Sequence, residues 1–222
     1  MAVILIGGVP GSGKTTIALE LGRLLGIEQI VQTDTIKEMF QLQESPEYTY
    51  IATHKAWSLI GDKTKENIIK GYDLHARSFE KTLLGLIELT QKKGKNIIIE
   101  GVQINPELVS KILAPNVCFY LYVEQDSEHK KRFNLKNINR NKINTGWYEN
   151  FDAIKAIDLY LRMGFKANAC LINNIDISST ITEIINHLKE KSLGVGNVQR
   201  LRLCDGFKQE LLHSQGVSSS GQ

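Results

Sequence analysis

The stretch Gly8-Val9-Pro10-Gly11-Ser12-Gly13-Lys14-Thr15 leaves this chain the fewest options for folding. It fits the pattern GxxxxGK[ST], directly after the apolar run 3–6 and directly before a segment of helical period. Glycines at these positions let backbone N–H groups turn inward around an anion, and the positive end of the following helix dipole adds to the attraction. Lys14 then reaches the outer phosphates as a point charge, and the Thr15 hydroxyl is placed to hold magnesium. With Thr16, these residues are the expected binding set for a nucleoside triphosphate. The loop alone leaves open whether hydrolysis, transfer or switching follows.

Apolar runs short enough for buried strands recur at 3–6, 28–31, 96–99, 117–123 and 169–172. Their apolar residues are consecutive rather than alternate, as a sheet covered on both faces requires. Segments of helical period lie between and after them, at 15–25, 63–92, 127–136, 148–162 and 179–191. The alternation predicts an α/β fold, a five-stranded parallel sheet with helices on both faces. Ser45-Pro46-Glu47 reads as the start of an additional helix over 46–59, with Ser45 as its cap.

The 222 residues, 42% of them hydrophobic, suffice for one domain, expected over 1–192, with a tail at 193–222 that is partly disordered. Within the tail, 198–212 has the pattern of a short amphipathic helix. Lys and Arg exceed Asp and Glu by three, too small a bias for general nucleic-acid binding. Cys118, Cys170 and Cys204 are far apart and form no CxxC pair, so the spacing suggests neither a disulfide framework nor a structural zinc site. Cys118, inside an apolar run, reads as a buried thiol. No apolar stretch approaches the roughly 18 residues of a membrane helix. A soluble protein of a reducing cytoplasm is expected, with no membrane partner.

Ligands of an open parallel sheet sit beyond the carboxyl ends of the strands, which directs attention to Asp34 and Glu100. Beside the loop strand, Glu100 approaches a magnesium ion; otherwise it is a solvated strand end. Asp34 is placed to take a hydroxyl proton from an acceptor, or to cap a helix over 36–40. Gly101 lets a ligand approach the backbone closely. The segment 128–142 carries Lys130, Lys131, Arg132, Lys136, Arg140 and Lys142 against one acid, Glu128. It reads as a lid over about 126–146, with Arg132 and Arg140 meeting charge on a transferring phosphoryl group and Lys130 and Lys136 on a solvated helix face. A nucleic-acid surface is the weaker reading, because aromatic residues are sparse within the segment. Arg77 is a candidate for contact with an acidic substrate, or for a surface ion pair with Asp73 or Glu80. His54 and His75 lack ligand spacing and read as structural, and Trp57 and Tyr72 as core.

Gly7-Gly8 with the loop, Thr33-Asp34-Thr35-Ile36-Lys37-Glu38 and Ile98-Ile99-Glu100-Gly101-Val102 occur in the order seen in archaeal 2-phosphoglycerate kinases. His129, Arg132-Phe133, Arg140, Tyr148, Asn150-Phe151-Asp152-Ala153-Ile154 and Leu171-Ile172-Asn173-Asn174 also resemble that family, so the similarity spans roughly residues 3 to 190. The resemblance implies a P-loop fold of nucleoside-monophosphate-kinase type. It also implies magnesium-ATP-dependent phosphorylation of an alcohol group on a small anionic substrate, 2-phosphoglycerate giving 2,3-bisphosphoglycerate. The chain departs from the family in three places. The family's usual ATP-cone-like N-terminal region has no counterpart before the strand at 3–6, Gln103 stands where a histidine is usual, and the tail after Leu193 matches nothing in it. A related activity, mevalonate 3-phosphate 5-kinase, is the alternative acceptor reading. A nucleotide-gated binding protein and a polynucleotide 5'-kinase are alternatives from other classes. Oligomeric state is left open.

Overall fold

The computed structural model describes residues 2–112, 116–139 and 146–194. Arg140, Lys142, Cys204 and the segment 198–212 lie outside the described residues. Five strands, β1 (Val3–Gly7), β2 (Ile30–Gln32), β3 (Ile97–Gly101), β4 (Asn116–Tyr122) and β5 (Cys170–Asn173), form one parallel sheet in the order β2-β3-β1-β4-β5. Among the described residues the α-helices are α1 (Lys14–Leu25), α2 (Thr33–Leu42), α3 (Lys65–Lys92), α4 (Pro106–Ser110), α5 (Asp126–Asn139), α6 (Phe151–Phe165) and α7 (Ile177–Gly194). None of the described helices is long and apolar enough to cross a membrane.

Successive residues of a strand point to opposite faces, and β1 and β3 are buried on both. Val3, Leu5, Ile97, Ile99 and Tyr120 join Tyr72, Phe79 and Leu83 of α3 and Ile154 and Leu161 of α6. Ile4, Ile6, Ile98, Phe119 and Ile172 turn the other way, onto Ile17 and Leu21 of α1 and Ile184 and Leu188 of α7. Each such side chain, fully buried, contributes about 1.5–3 kcal/mol, so register is strongly held. Cys118 is buried within the first of these clusters. Tyr72 is also core, and its hydroxyl donates to the carbonyl of Val102.

The order of strands decides where a ligand can sit. The chain runs from β1 out to β2, returns to β3 beside β1, then crosses to β4 on the far side. Connections therefore diverge at β1, and a crevice opens beyond its carboxyl end. The register pairs Ile6 with Glu100 and Gly7 with Gly101, so the loop that leaves β1 and the carboxylate that ends β3 emerge side by side.

The region 46–59 differs from the expected single helix. It forms two short 3-10 turns, Glu47–Thr49 and Thr53–Leu59, separated by extended backbone at Ala52. Pro46 rather than Ser45 stands at the first cap, without a side-chain hydrogen bond; Thr49 Oγ1 instead donates to the Pro46 carbonyl at 2.7 Å. Tight packing on α3 accounts for the second turn. A Cβ on Gly71 would lie within 2.6 Å of Ala56 and Trp57 backbone atoms, so only glycine admits the turn there. Gly71→Ala is expected to destabilise the fold by about 2 kcal/mol through this overlap, despite the better helix propensity of alanine. Gly85→Ala, one helical stretch further on with nothing within 4 Å, is expected to stabilise by up to ~1 kcal/mol. Thermal denaturation of both variants checks the pair.

Candidate active site

A loop that offers its N–H groups to an anion must turn its carbonyls outward, and each of those then needs a donor. The structure supplies them from three directions. His129 Nε2 of α5 donates to the Pro10 carbonyl at 2.6 Å, and Asn174 Nδ2 donates to the Ser12 carbonyl at 2.8 Å. The Asn174 Oδ1 in turn accepts from Thr180 Oγ1 at 3.0 Å, which fixes the amide's orientation. Val9 accepts from Lys14 Nζ at 3.0 Å and from the Ser12 N–H at 3.2 Å. Gly11 and Gly13 have φ of 81° and 89°, and a side chain on either would also strike Phe133 and His129, or Asn174. Gly13 begins α1 with no side-chain cap, so the first-turn N–H groups of that helix are left for a ligand.

Behind the loop, Thr15 Oγ1 donates to Glu100 Oε1 at 2.7 Å, and Glu100 is buried rather than solvated. A hydroxyl and a carboxylate side by side next to an anion loop fit a hard divalent cation. Burial lowers the pKa of the Lys14 ammonium, and the charges of Glu100 and Asp34 work against that shift. Both carboxylates thus lie within electrostatic reach of Lys14.

Asp34 sits in the first turn of α2, whose cap is Gln32 with no side-chain hydrogen bond, so the expected capping role does not describe it. Its carboxylate is paired with Lys37 Nζ at 3.1 Å, and its side chain is 63% exposed. Lys14, Thr15, Asp34, Lys37, His54, Glu100, Gly101 and Trp147 line one cleft of about 340 Å³. At Gly101 a Cβ would overlap the Thr33 side chain, so packing alone requires glycine there.

Thr33 leads into a buried chain of hydrogen bonds that the sequence did not suggest. Its hydroxyl donates to Gln103 Oε1, Gln103 Nε2 donates to His75 Nε2 at 2.9 Å, and His75 Nδ1 donates to the Tyr48 carbonyl at 2.7 Å. The chain of bonds joins the Thr33 wall of the cleft to α3. His75 is structural, as expected, whereas His54 faces the cleft. Lys37, which the sequence marks only as part of the motif Thr33 to Glu38, and Trp147, which it does not single out, also line the cleft.

Arg132 lies beside the loop. Its Nη2 donates to the carbonyls of Asn174 and Ile175 at 2.7 and 2.9 Å, and its Nε to Glu128 Oε1 at 3.3 Å. Nη1 is the Arg132 atom nearest Gly13. Arg77 is outside the lining of the cleft, with its Nε 3.3 Å from Glu107 Oε2; the surface pair is real, and Glu107 rather than Asp73 or Glu80 is the partner. The helical segment expected from 127 begins at Asp126 and packs on the loop through His129 and Phe133. Arg140 and the rest of the expected lid to 145 lie outside the described residues.

A loop of inward N–H groups at the switch point of a parallel sheet, followed by an uncapped helix, defines a P-loop protein of the α/β class. The chain belongs to the AAA domain family, which matches residues 4–155. Over 85% of its length it is similar to the 2-phosphoglycerate kinases of Methanococcus maripaludis strain C5, at 32% identity over 205 residues, and Methanocaldococcus jannaschii, at 29% over 196. The motif resemblance to that archaeal group thus extends along the chain. The chain spans 64% and 63% of the lengths of these two relatives. Among solved structures it is similar to a shikimate kinase from Acinetobacter baumannii in complex with shikimate, at 18% identity and a TM-score of 0.49, covering 86% of this chain and 94% of that one.

Two of the three buried histidines among the described residues, His75 and His129, make stability depend on pH. Burial pushes both His75 and His129 down to about 4 from 6.5. As pH falls through 6.5 the unfolded chain takes up these protons first, so stability is full above that value and declines toward about 4. Each site is expected to remove about 2 kcal/mol at about pH 5. Urea midpoints measured against pH check this, and His75→Gln is expected to flatten roughly half of the slope.

Proposed function

We propose that this chain is a small-molecule kinase that transfers the terminal phosphoryl group of magnesium ATP to a hydroxyl of a small phosphorylated acid. The acceptor best supported is 2-phosphoglycerate, giving 2,3-bisphosphoglycerate, on the strength of the curated relatives that bear that name. One observation carries the reading. Lys14 and two carboxylates line a single cleft, Glu100 hydrogen-bonded to Thr15 of the loop and Asp34 paired with Lys37.

In this reading the loop from Gly8 to Thr16 holds the nucleotide phosphates, and Thr15 with Glu100 would hold magnesium. That ion, when bound, neutralises charge on the phosphate oxygens. Lys14 follows the charge of the transferring group, and Asp34, oriented by Lys37, takes the proton of the acceptor hydroxyl. Lys37 and His54 receive the acceptor's anionic groups, the part the sequence had suggested for Arg77. Arg132 pins α5 to the turn after β5 and leaves Nη1 for the phosphate side. Trp147 and α5 restrict water, which would otherwise take the phosphoryl group. Residues 1–192 would form the catalytic unit, acting in the cytoplasm, with 126–146 as its lid.

Purified protein incubated with labelled ATP and a panel of phosphorylated hydroxy acids is expected to label 2-phosphoglycerate. Normal ATP binding with no acceptor labelled would overturn the proposal. Asp34→Asn is expected to lower kcat by about 10²–10⁴ while ATP affinity stays within about twofold, because the phosphate loop is untouched. Lys37→Met is expected to raise KM for the acceptor more than KM for ATP, read by steady-state kinetics with each substrate varied.

A further inference from the structure

A second cluster of chemically competent side chains lies outside the cleft. Cys170, Glu183 and His187 present a sulfur, a carboxylate oxygen and an imidazole nitrogen that all lie within 4.8 Å of one another. Cys170 opens the edge strand β5, and Glu183 and His187 are four residues apart on α7, so one helical turn brings both to the same side. Ile181, Ile184 and Leu188 of the same helix are buried against the sheet, while Cys170 and His187 are half-buried at the rim and Glu183 is exposed. A cavity of about 360 Å³ opens along α7 beside Glu183, His187 and Glu190.

We propose that Cys170, Glu183 and His187 form a binding site for a borderline-soft divalent cation, Zn²⁺ above all. The bland alternative, a small thiol packed at the edge of the core, accounts for Cys170 but not for the convergence of the carboxylate and the imidazole upon it. Sulfur and imidazole donors select zinc over magnesium, which takes oxygen ligands. Donor atoms around a tetrahedral zinc lie roughly 3.3–3.8 Å apart, so closing the site needs shifts of about 1 Å from side chains with room to move. Glu190 Oε2 stands 3.8 Å from His187 Nδ1. With Nε2 on the metal, that carboxylate accepts from the other ring nitrogen and orients the imidazole. Water completes the four-coordinate set. As the Zn–S bond forms, the Cys170 thiol releases its proton to solvent, with no change of oxidation state. The bound ion would tie the edge strand to α7, the two elements that flank Asn174 and its hold on the phosphate loop.

Metal-stripped full-length protein, titrated with Zn²⁺ against a chromophoric chelator, is expected to take up one ion. Co²⁺ in its place is expected to give a thiolate-to-metal charge-transfer band. Cys170→Ser is expected to abolish the band, and the surface change Glu183→Gln, which does not threaten folding, to weaken zinc binding by about 10-fold or more. The absence of stoichiometric uptake, a band that persists in the Cys170→Ser protein, or affinity unchanged by Glu183→Gln in a folded protein would each overturn the site.

Discussion

Everything at the carboxyl end of this sheet depends on keeping the carbonyls of the phosphate loop pointed away from the space its N–H groups enclose. Left alone, a glycine-rich segment has no reason to hold that shape, since its dipoles repel one another. The fold answers by bringing donors from distant parts of the chain: His129 from α5 onto Pro10 and Asn174 from the turn after β5 onto Ser12. Because these donors need their own support, Thr180 braces Asn174, and Arg132 ties α5 to the carbonyls of Asn174 and Ile175. The anion site is thus a property of the second half of the chain as much as of the first fifteen residues.

The two carboxylates that line the cleft are held in different ways. Glu100 ends a central strand, is buried, and is fixed by Thr15, so its position follows from strand register. Asp34 stands in the first turn of α2 with a mostly exposed side chain and a single-turn ion pair to Lys37. Exposed pairs of that kind contribute little to stability, so the pair orients Asp34 more than it supports the fold. Of these two carboxylates that line the cleft, Glu100 is thus fixed by the sheet, whereas Asp34 has more room to move.

How legible this was in the sequence varies by the kind of signal. The strands were readable because burial on both faces produces consecutive apolar residues, such as Val3 to Ile6 and Ile97 to Ile99, that no exposed segment imitates. The loop was readable because its chemistry is local. Contacts between remote polar residues were not: Thr33, Gln103 and His75 carry no shared spacing, and only the packing of α2 and α3 on β3 brings them together. Arg77 shows the converse, a residue of the right chemical type whose partner, Glu107, is found on another helix. The break in 46–59 arose from the close approach of Ala56 to Gly71, which pattern reading cannot weigh. For Cys170 the only trace was the four-residue spacing of Glu183 and His187, common on any helix.

The bonds from Thr33 through Gln103 and His75 to the Tyr48 carbonyl all run in one sense, each group donating to the next. Such a polarised row behaves as a tie rod, because no member can turn round without its neighbours turning too. The position of Thr33 at the cleft is therefore set in part from Tyr48, through His75 of α3, and an alteration near Tyr48 would be passed along the row to the cleft.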